Sequence, residues 1–233
     1  MITKIPAGSR GLTKIEWLSS HHSFSFGEYY DPKKRGFGKL RVLNDDTVEG
    51  GGGFPPHLHD NMEIVTLVLK GSLEHKDSTG GHGLIKEGQM QRMTAGEGIE
   101  HSEFNASKTD PVHFLQIWIL PRERDLAPEY EQKEFSSLLK PNQFSLIVAP
   151  EKATSALFIH QDVRFYLGQL EKGGVVEHRL LSAKHAIYAF LIYGKLRLEE
   201  ETLESGDAAE IEGLSHFQVE AFESSLLLLI ETF

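Results

Sequence analysis

Two short stretches hold most of the residues from which a metal site could be built. HLHDNME, residues 57–63, sets His57 and His59 one residue apart and ends on Glu63. GIEHSEFN, residues 98–105, sets His101 and Glu103 at the same spacing, with Asn105 beyond. In an extended strand alternate side chains point the same way, so a pair two residues apart aims two donors into one space. If the strands are regular, His57, His59, Asn61 and Glu63 share one face, and His101, Glu103 and Asn105 share another. Three imidazoles and one carboxylate brought together would hold a divalent ion at about 2.0–2.2 Å. On a six-coordinate ion such a set leaves positions open, as a catalytic metal requires and a structural one does not.

Chance alone supplies some of this pattern. With 12 histidines in 233 residues, roughly 0.6 His-x-His pairs are expected at random, so one pair is weak evidence. Two pairs, each behind a glycine-containing turn (Gly51–Gly53; Gly96 and Gly98), are much stronger. The absence of cysteine excludes thiolate ligands, zinc fingers and disulfides. Nitrogen and oxygen donors suit Fe, Ni, Co, Mn, Cu and Zn alike, and donor type does not rank them. A net charge of −10 argues against direct nucleic-acid binding, which depends on Lys and Arg at phosphates. The basic run Lys33, Lys34, Arg35 and Lys39 sits among Gly and Pro and reads as a solvated loop. No apolar leader opens the sequence, and apolar runs such as Leu226 to Ile230 are too short to cross a bilayer. The expectation is a cytoplasmic protein with no membrane contact.

The elements that must position these residues are strands. LRVLN, EIVTLVLKGSLEHKD, VHFLQIWIL, FSLIVAP, AIYAFLIYGKLRLEE and SLLLLIETF are rich in β-branched and aromatic residues and punctuated by glycine. No long 3.6-residue period competes with them. An all-β fold follows, with one or two short helices near PEYEQKEFSSLL. EIVTLVLKGSLEHKD leading to AGEGIEHSEF is echoed by AIYAFLIYGKLRLEE leading to IEGLSHFQVEAF. The echo implies two similar β-barrels in tandem, 1–134 and 135–233, joined by a charged, proline-containing linker near 121–135.

The first stretch resembles the first cupin motif around Gly51, His57, His59 and Glu63, and the second resembles its partner around Gly98, His101 and Asn105. More narrowly, HSFSFGEYYDP, RVLNDD, HLHDNMEIVT, LEHKDSTG, AGEGIEHSE, FLQIWILP and PEYEQKEF resemble the bacterial members of the pirin family. The resemblance is dense from His22 to Phe135 and thin afterwards. It implies a bicupin of two tandem β-sandwich barrels, with one metal in the first and none in a degenerate second. By this match His57, His59, His101 and Glu103 are the ligands. Cupins at large often use the carboxylate of the first motif, here Glu63, whereas pirins use Glu103; Glu63 is then expected behind a ligating histidine. In the second half no His-x-His occurs, and RLLSAKH stands roughly where His57 to Glu63 stand in the first. The other nine histidines are assigned no role, and Phe114, Trp118, Tyr188 and Phe190 are read as packing residues.

The activity this implies is a dioxygenase resembling pirin-type quercetin 2,3-dioxygenases, with a flavonol-like aromatic substrate, O2, and Glu103 or Glu63 as base. Alternatives are a redox- or metal-sensing regulator acting through protein partners, and a cupin isomerase or binding module. A monomer is expected.

Overall fold

The computed structural model describes residues 1–233 except Ala153 and Ala183. It is built almost wholly of strands. The first half comprises β1 (Ile2–Ile5), β2 (Gly11–Lys14), β3 (Leu18–His22), β4 (Leu40–Val48), β5 (Gly53–His59), β6 (Glu63–Lys70), β7 (Ser72–Asp77), β8 (His82–Lys86), β9 (Gln89–Thr94), β10 (Ile99–Asn105), β11 (Val112–Ile119) and β12 (Glu129–Glu134). The second comprises β13 (Gln143–Ala149), β14 (Leu157–Phe158), β15 (Arg164–Leu170), β16 (Val175–Arg179), β17 (Ala186–Tyr193), β18 (Lys195–Leu198), β19 (Glu201–Glu204), β20 (Ala208–Ile211), β21 (His216–Ala221) and β22 (Ser225–Thr232).

The short helices expected near PEYEQKEFSSLL reduce to one 3-10 turn at Ser136–Leu138. Part of the expected linker is strand as well, because Glu129–Glu134 pairs with β9. β12 is the sheet edge, where charged side chains remain in water while the backbone pairs on one side.

Two compact units are present. One contains Arg10–Ser136 and Leu157–Gln161; the other contains Met1–Ser9, Ser137–Ala156 and Asp162–Phe233. The sequence-based ranges 1–134 and 135–233 are single stretches, whereas the structure exchanges two short segments. β1 pairs with β20, some two hundred residues away, a partnership that a composition shift along the chain does not reveal.

In the first unit a sheet of order β12-β9-β6-β11-β4-β3-β2 is joined by a smaller one, β5-β10-β7-β8. Leu18, Val68 and Phe114 of the larger sheet pack against Leu73 and Ile85 of the smaller in one apolar cluster. The second unit repeats the plan, with β1-β20-β17-β22-β15-β13 and β16-β21-β18-β19. There Ile187, Leu227 and Leu229 meet Leu196, Phe217 and Val219. Two β-sandwich barrels in tandem are therefore the fold, as the echo in the sequence implied.

Candidate metal centre

β5 lies at the edge of its sheet, which is why Pro55 and Pro56 are tolerated inside it. Its neighbour β10 places His101 directly opposite His57. The chain enters β10 through a tight turn in which Gly96 has φ 52° and a side chain would collide with the Leu126 carbonyl oxygen; only glycine fits there. The rings of His57, His59 and His101 meet with centroids 4.5, 4.8 and 4.9 Å apart. One donor atom from each lies within 4.8 Å of the others.

His57 donates Nδ1–H to the Pro55 carbonyl at 2.8 Å, which leaves its Nε2 as an acceptor. His59 Nε2 and His101 Nε2 are buried and have no hydrogen-bond partner. Burial, and then the neighbouring His57, push His59 down to about 4; burial followed by His57, His59 and His75 pushes His101 down to about 2. At neutral pH both rings are neutral, with lone pairs ready for a cation. A buried ring nitrogen with no partner costs free energy that a divalent ion would recover. The residues present therefore fit a metal.

Glu103 falls into a second set with His101 and His75, whose donor atoms also lie within 4.8 Å of one another. Its carboxylate is wholly buried and accepts hydrogen bonds from Gln91 Nε2 at 2.7 Å and Gln116 Nε2 at 2.6 Å. Thr66 donates to Gln116 Oε1 at 2.7 Å and accepts from Gln91 Nε2 at 3.1 Å. Burial pushes Glu103 up to about 7 although these groups pull the other way.

His75 stands opposite Glu103, and Asp77 opposite His101, in the β7–β10 ladder. His75 Nε2 lies 2.8 Å from Asp77 Oδ2, and its Nδ1 lies 3.5 Å from His101 Nδ1. Burial acts to raise Asp77, but bonds from Thr79, His75 and Gly81 outweigh it and hold the carboxyl below its usual range. An ionised Asp77 fixes Nε2–H on His75, whose Nδ1 then faces the Nδ1–H of His101 and leaves His101 Nε2 for the ion. Outer partners of this kind set ring orientation, so His75→Leu or Asp77→Asn is expected to weaken metal affinity by about 10–100-fold, read by competition with a chelating dye.

His57 and His59 open on a cavity of about 370 Å³, within the range of small-molecule sites. Ile15, Leu18, Phe26, Phe54 and Trp118 give it apolar lining; Ser20, His22, Asn44 and Asp46 add polar lining to that of His57, His59, Glu103 and Gln116, with Asn44 paired to Gln116 across β4 and β11. Trp118 stands edge-on to His59 at 4.9 Å and to Phe26 at 5.3 Å. Phe114, Tyr188 and Phe190 are core, but Trp118 lines the cavity rather than merely packing.

Residues 7–119 match the Pirin family model, and residues 146–232 match the model described as Quercetinase C-terminal cupin domain. "Quercetin 2,3-dioxygenase" of Escherichia coli strain K12 is 37% identical over 231 residues, covering 99% of this chain and 98% of the relative. The chain belongs to the pirin family. The crystal structure of the bacterial pirin YhhW in complex with nickel(II), from E. coli, superposes with a TM-score of 0.94 at 36% identity, covering 100% of this chain and 99% of that one. A quercetin 2,3-dioxygenase structure from Acinetobacter baumannii, at 20% identity and a TM-score of 0.81 over 95% of this chain and 83% of that one, shares the fold.

The second cupin of this pirin keeps one histidine and carries apolar residues at the other corresponding places. β6 and β17 each have eight residues and each runs into a glycine, Gly71 or Gly194. In that frame His178 takes the place of His57, being opposite Phe217 as His57 is opposite His101. Leu180 and Val219 then replace His59 and Glu103. Ala189, Ala209 and Leu229, paired across three strands, replace Thr66, Gln91 and Gln116. The frame begins one residue before the RLLSAKH expected from the sequence.

Glu63 departs from its expected place. Regular alternation from His57 breaks at residues 60–62, where Asn61 has φ 45°, and Glu63 begins the next strand on the face opposite Thr66. Its carboxylate accepts the backbone N–H of His160 at 2.8 Å and of Gln161 at 2.9 Å, anchoring that segment and touching none of the three histidines through these bonds. Glu63→Gln is expected to cost about 1–3 kcal/mol of stability in urea titrations and to leave metal stoichiometry unchanged.

Sequence reasoning passed over His75, Asp77, His22, Asp46 and the Thr66–Gln91–Gln116 cradle. LEHKD has the same two-residue alternation as His101 and Glu103, and the glutamines in QMQRM and FLQIW interrupt otherwise apolar strands.

Proposed function

We propose that this chain is a metal-dependent dioxygenase that opens the central ring of a flavonol-like substrate with O2 and releases carbon monoxide. His57, His59, His101 and Glu103 would hold the ion. The observation that carries the proposal is the group of three imidazoles, two of them neutral with buried and unpartnered Nε2 atoms, beside a largely apolar cavity of about 370 Å³. When bound, a redox-capable divalent ion supplies a Lewis acid for the flavonol oxygen and an electron path to O2. The full-length similarity to the E. coli quercetin 2,3-dioxygenase supports the reaction class, and the nickel(II) complex of YhhW supports a divalent ion. Iron is our first choice, with Ni, Co, Mn, Cu or Zn as alternatives.

The chain's own residues do the rest. Glu103 would accept the proton of the flavonol 3-hydroxyl, since its carboxylate is aimed by Gln91 and Gln116 and titrates near neutrality. Phe26, Phe54 and Trp118 give the planar rings flat apolar surfaces and exclude water from the reacting side. Glu63 has no part in the chemistry.

The test is turnover of quercetin by protein reloaded with Fe, Ni, Co, Mn or Cu, followed by loss of the flavonol band and by carbon monoxide release. Turnover above that of the free ion, lost in His57→Ala, is the expected result. Rates equal to free ion with every metal would defeat the proposal.

A further inference from the structure

The cavity has a second polar group that the ligand set does not use. Asn44 and Asp46 alternate on the same face of β4, opposite His22 and Ser20 of β3. His22 is fixed between Asn44 Oδ1 at 2.8 Å from Nδ1 and Thr13 Oγ1 at 2.8 Å from Nε2. Asp46 is held differently. It is 2% exposed, it shares a hydrogen bond with Ser20, and its Oδ1 is buried without any partner. Asp46 and its neighbours line the same cavity as His57, His59 and Glu103. A carboxyl oxygen left without a partner in a protein interior is costly, and a donor that comes with the occupant removes that cost.

We propose that Asp46, oriented by Ser20, is the specificity-determining residue of the cavity and accepts a hydrogen bond from a ring hydroxyl of the substrate other than the one presented to the metal. This rests on the dioxygenase reading for the identity of the substrate, though not for the chemistry recognised, which is a phenolic O–H. It makes the preferred substrate class a polyhydroxylated aromatic, and it gives the cavity a second polar anchor on β4 beside the one formed by the histidines and Glu103. A site built to bond a hydroxyl discriminates strongly against the analogue that lacks it, because the protein group is then left bare.

The experiment has two arms. In the first, zinc-loaded protein is titrated with resorcinol and with 1,3-dimethoxybenzene, followed by ligand-observed NMR; the two probes share a ring and differ in O–H donors. Wild type should prefer resorcinol by about tenfold. Asp46→Leu should abolish the preference, and Asp46→Asn, which keeps an oxygen acceptor, should retain part of it. Thermal unfolding of both variants checks that the fold survives; if Asp46→Leu does not fold, Asp46→Ala takes its place. No preference in wild type, or one that persists in Asp46→Leu or Asp46→Ala, overturns the proposal. In the second arm, wild type is assayed for quercetin turnover. Failure there with an Asp46-dependent resorcinol preference removes the dioxygenase reading alone; turnover with a preference indifferent to Asp46 removes the anchor alone.

Discussion

His101→Ala is expected to yield a folded protein that no longer retains a divalent ion through desalting and that has lost all turnover above the free metal. His101 belongs to both sets of donor atoms, with His57 and His59 on one side and His75 and Glu103 on the other. Its removal therefore breaks the site whichever carboxylate or imidazole completes it. The loss should exceed the 10–100-fold in affinity that an outer partner such as His75 carries. Folding should survive, because the packing of β10 rests on neighbours such as Ile99, which belongs to a separate apolar cluster with Ile64 and Met93. Removing a buried ring with a bare Nε2 also removes a polar burden. The measurement is metal content by plasma emission beside a thermal melt of the same sample. One ion per chain retained by the variant would show that these histidines are not the site.

Much of the candidate site is legible in the sequence because strand alternation is local. His57, His59, His101 and Glu103 could be placed on shared faces from a two-residue period alone, and the internal echo announced the two barrels. What was not legible depends on register between strands. His75 is coupled to the site only because β7 pairs with β10 so that His75 falls opposite Glu103. Gln91, Thr66 and Gln116 form one cradle because they align across β9, β6 and β11, although 25 and 50 residues separate them from Thr66 along the chain. Glu63 shows the reverse error. A strict two-residue period runs through residues 60–62, whereas in the structure a left-handed Asn61 precedes a new strand and resets the faces.

The degenerate character expected of the second barrel has a physical form that the letters suggest only weakly. A lone lost histidine would leave a polar hole. Here the replacement is concerted: Val219 occupies the place of Glu103, and Ala189, Ala209 and Leu229 occupy the places of the three groups that bond it. All four side chains are buried in one apolar cluster with Phe217. A carboxylate returned to position 219 alone would have no donors around it, so restoring one ligand there would destabilise the barrel without creating a site.

Asp46 should make stability depend on pH in a direction opposite to that of an ion-paired carboxylate. Burial raises its pKa to about 7; the Ser20 bond opposes this, while Asp45 on the same strand and Glu103 add to it. Across the sheet it meets Ser20 on β3 and Phe114 on β11, neither of which supplies a positive charge. Below the unfolded value near 3.8 both folded and unfolded chains hold the proton and no penalty arises. As pH rises towards 7 the unfolded chain ionises freely while the folded one resists, so folding loses free energy through that window. The full span is about 4 kcal/mol at about 1.4 kcal/mol per pH unit. Asp46→Asn has no proton to lose at this position. Its stability relative to wild type, in urea titrations at the same metal content, is therefore expected to improve steadily from pH 4 to pH 7 and to level off above. Comparing the two proteins cancels the contributions of His59 and His101, which both retain, while the coupling of Asp46 to Glu103 stays within the measured difference. A difference that stays flat across this range would mean that Asp46 ionises in the folded state as readily as in the unfolded chain, with a donor inside the cavity satisfying its Oδ1.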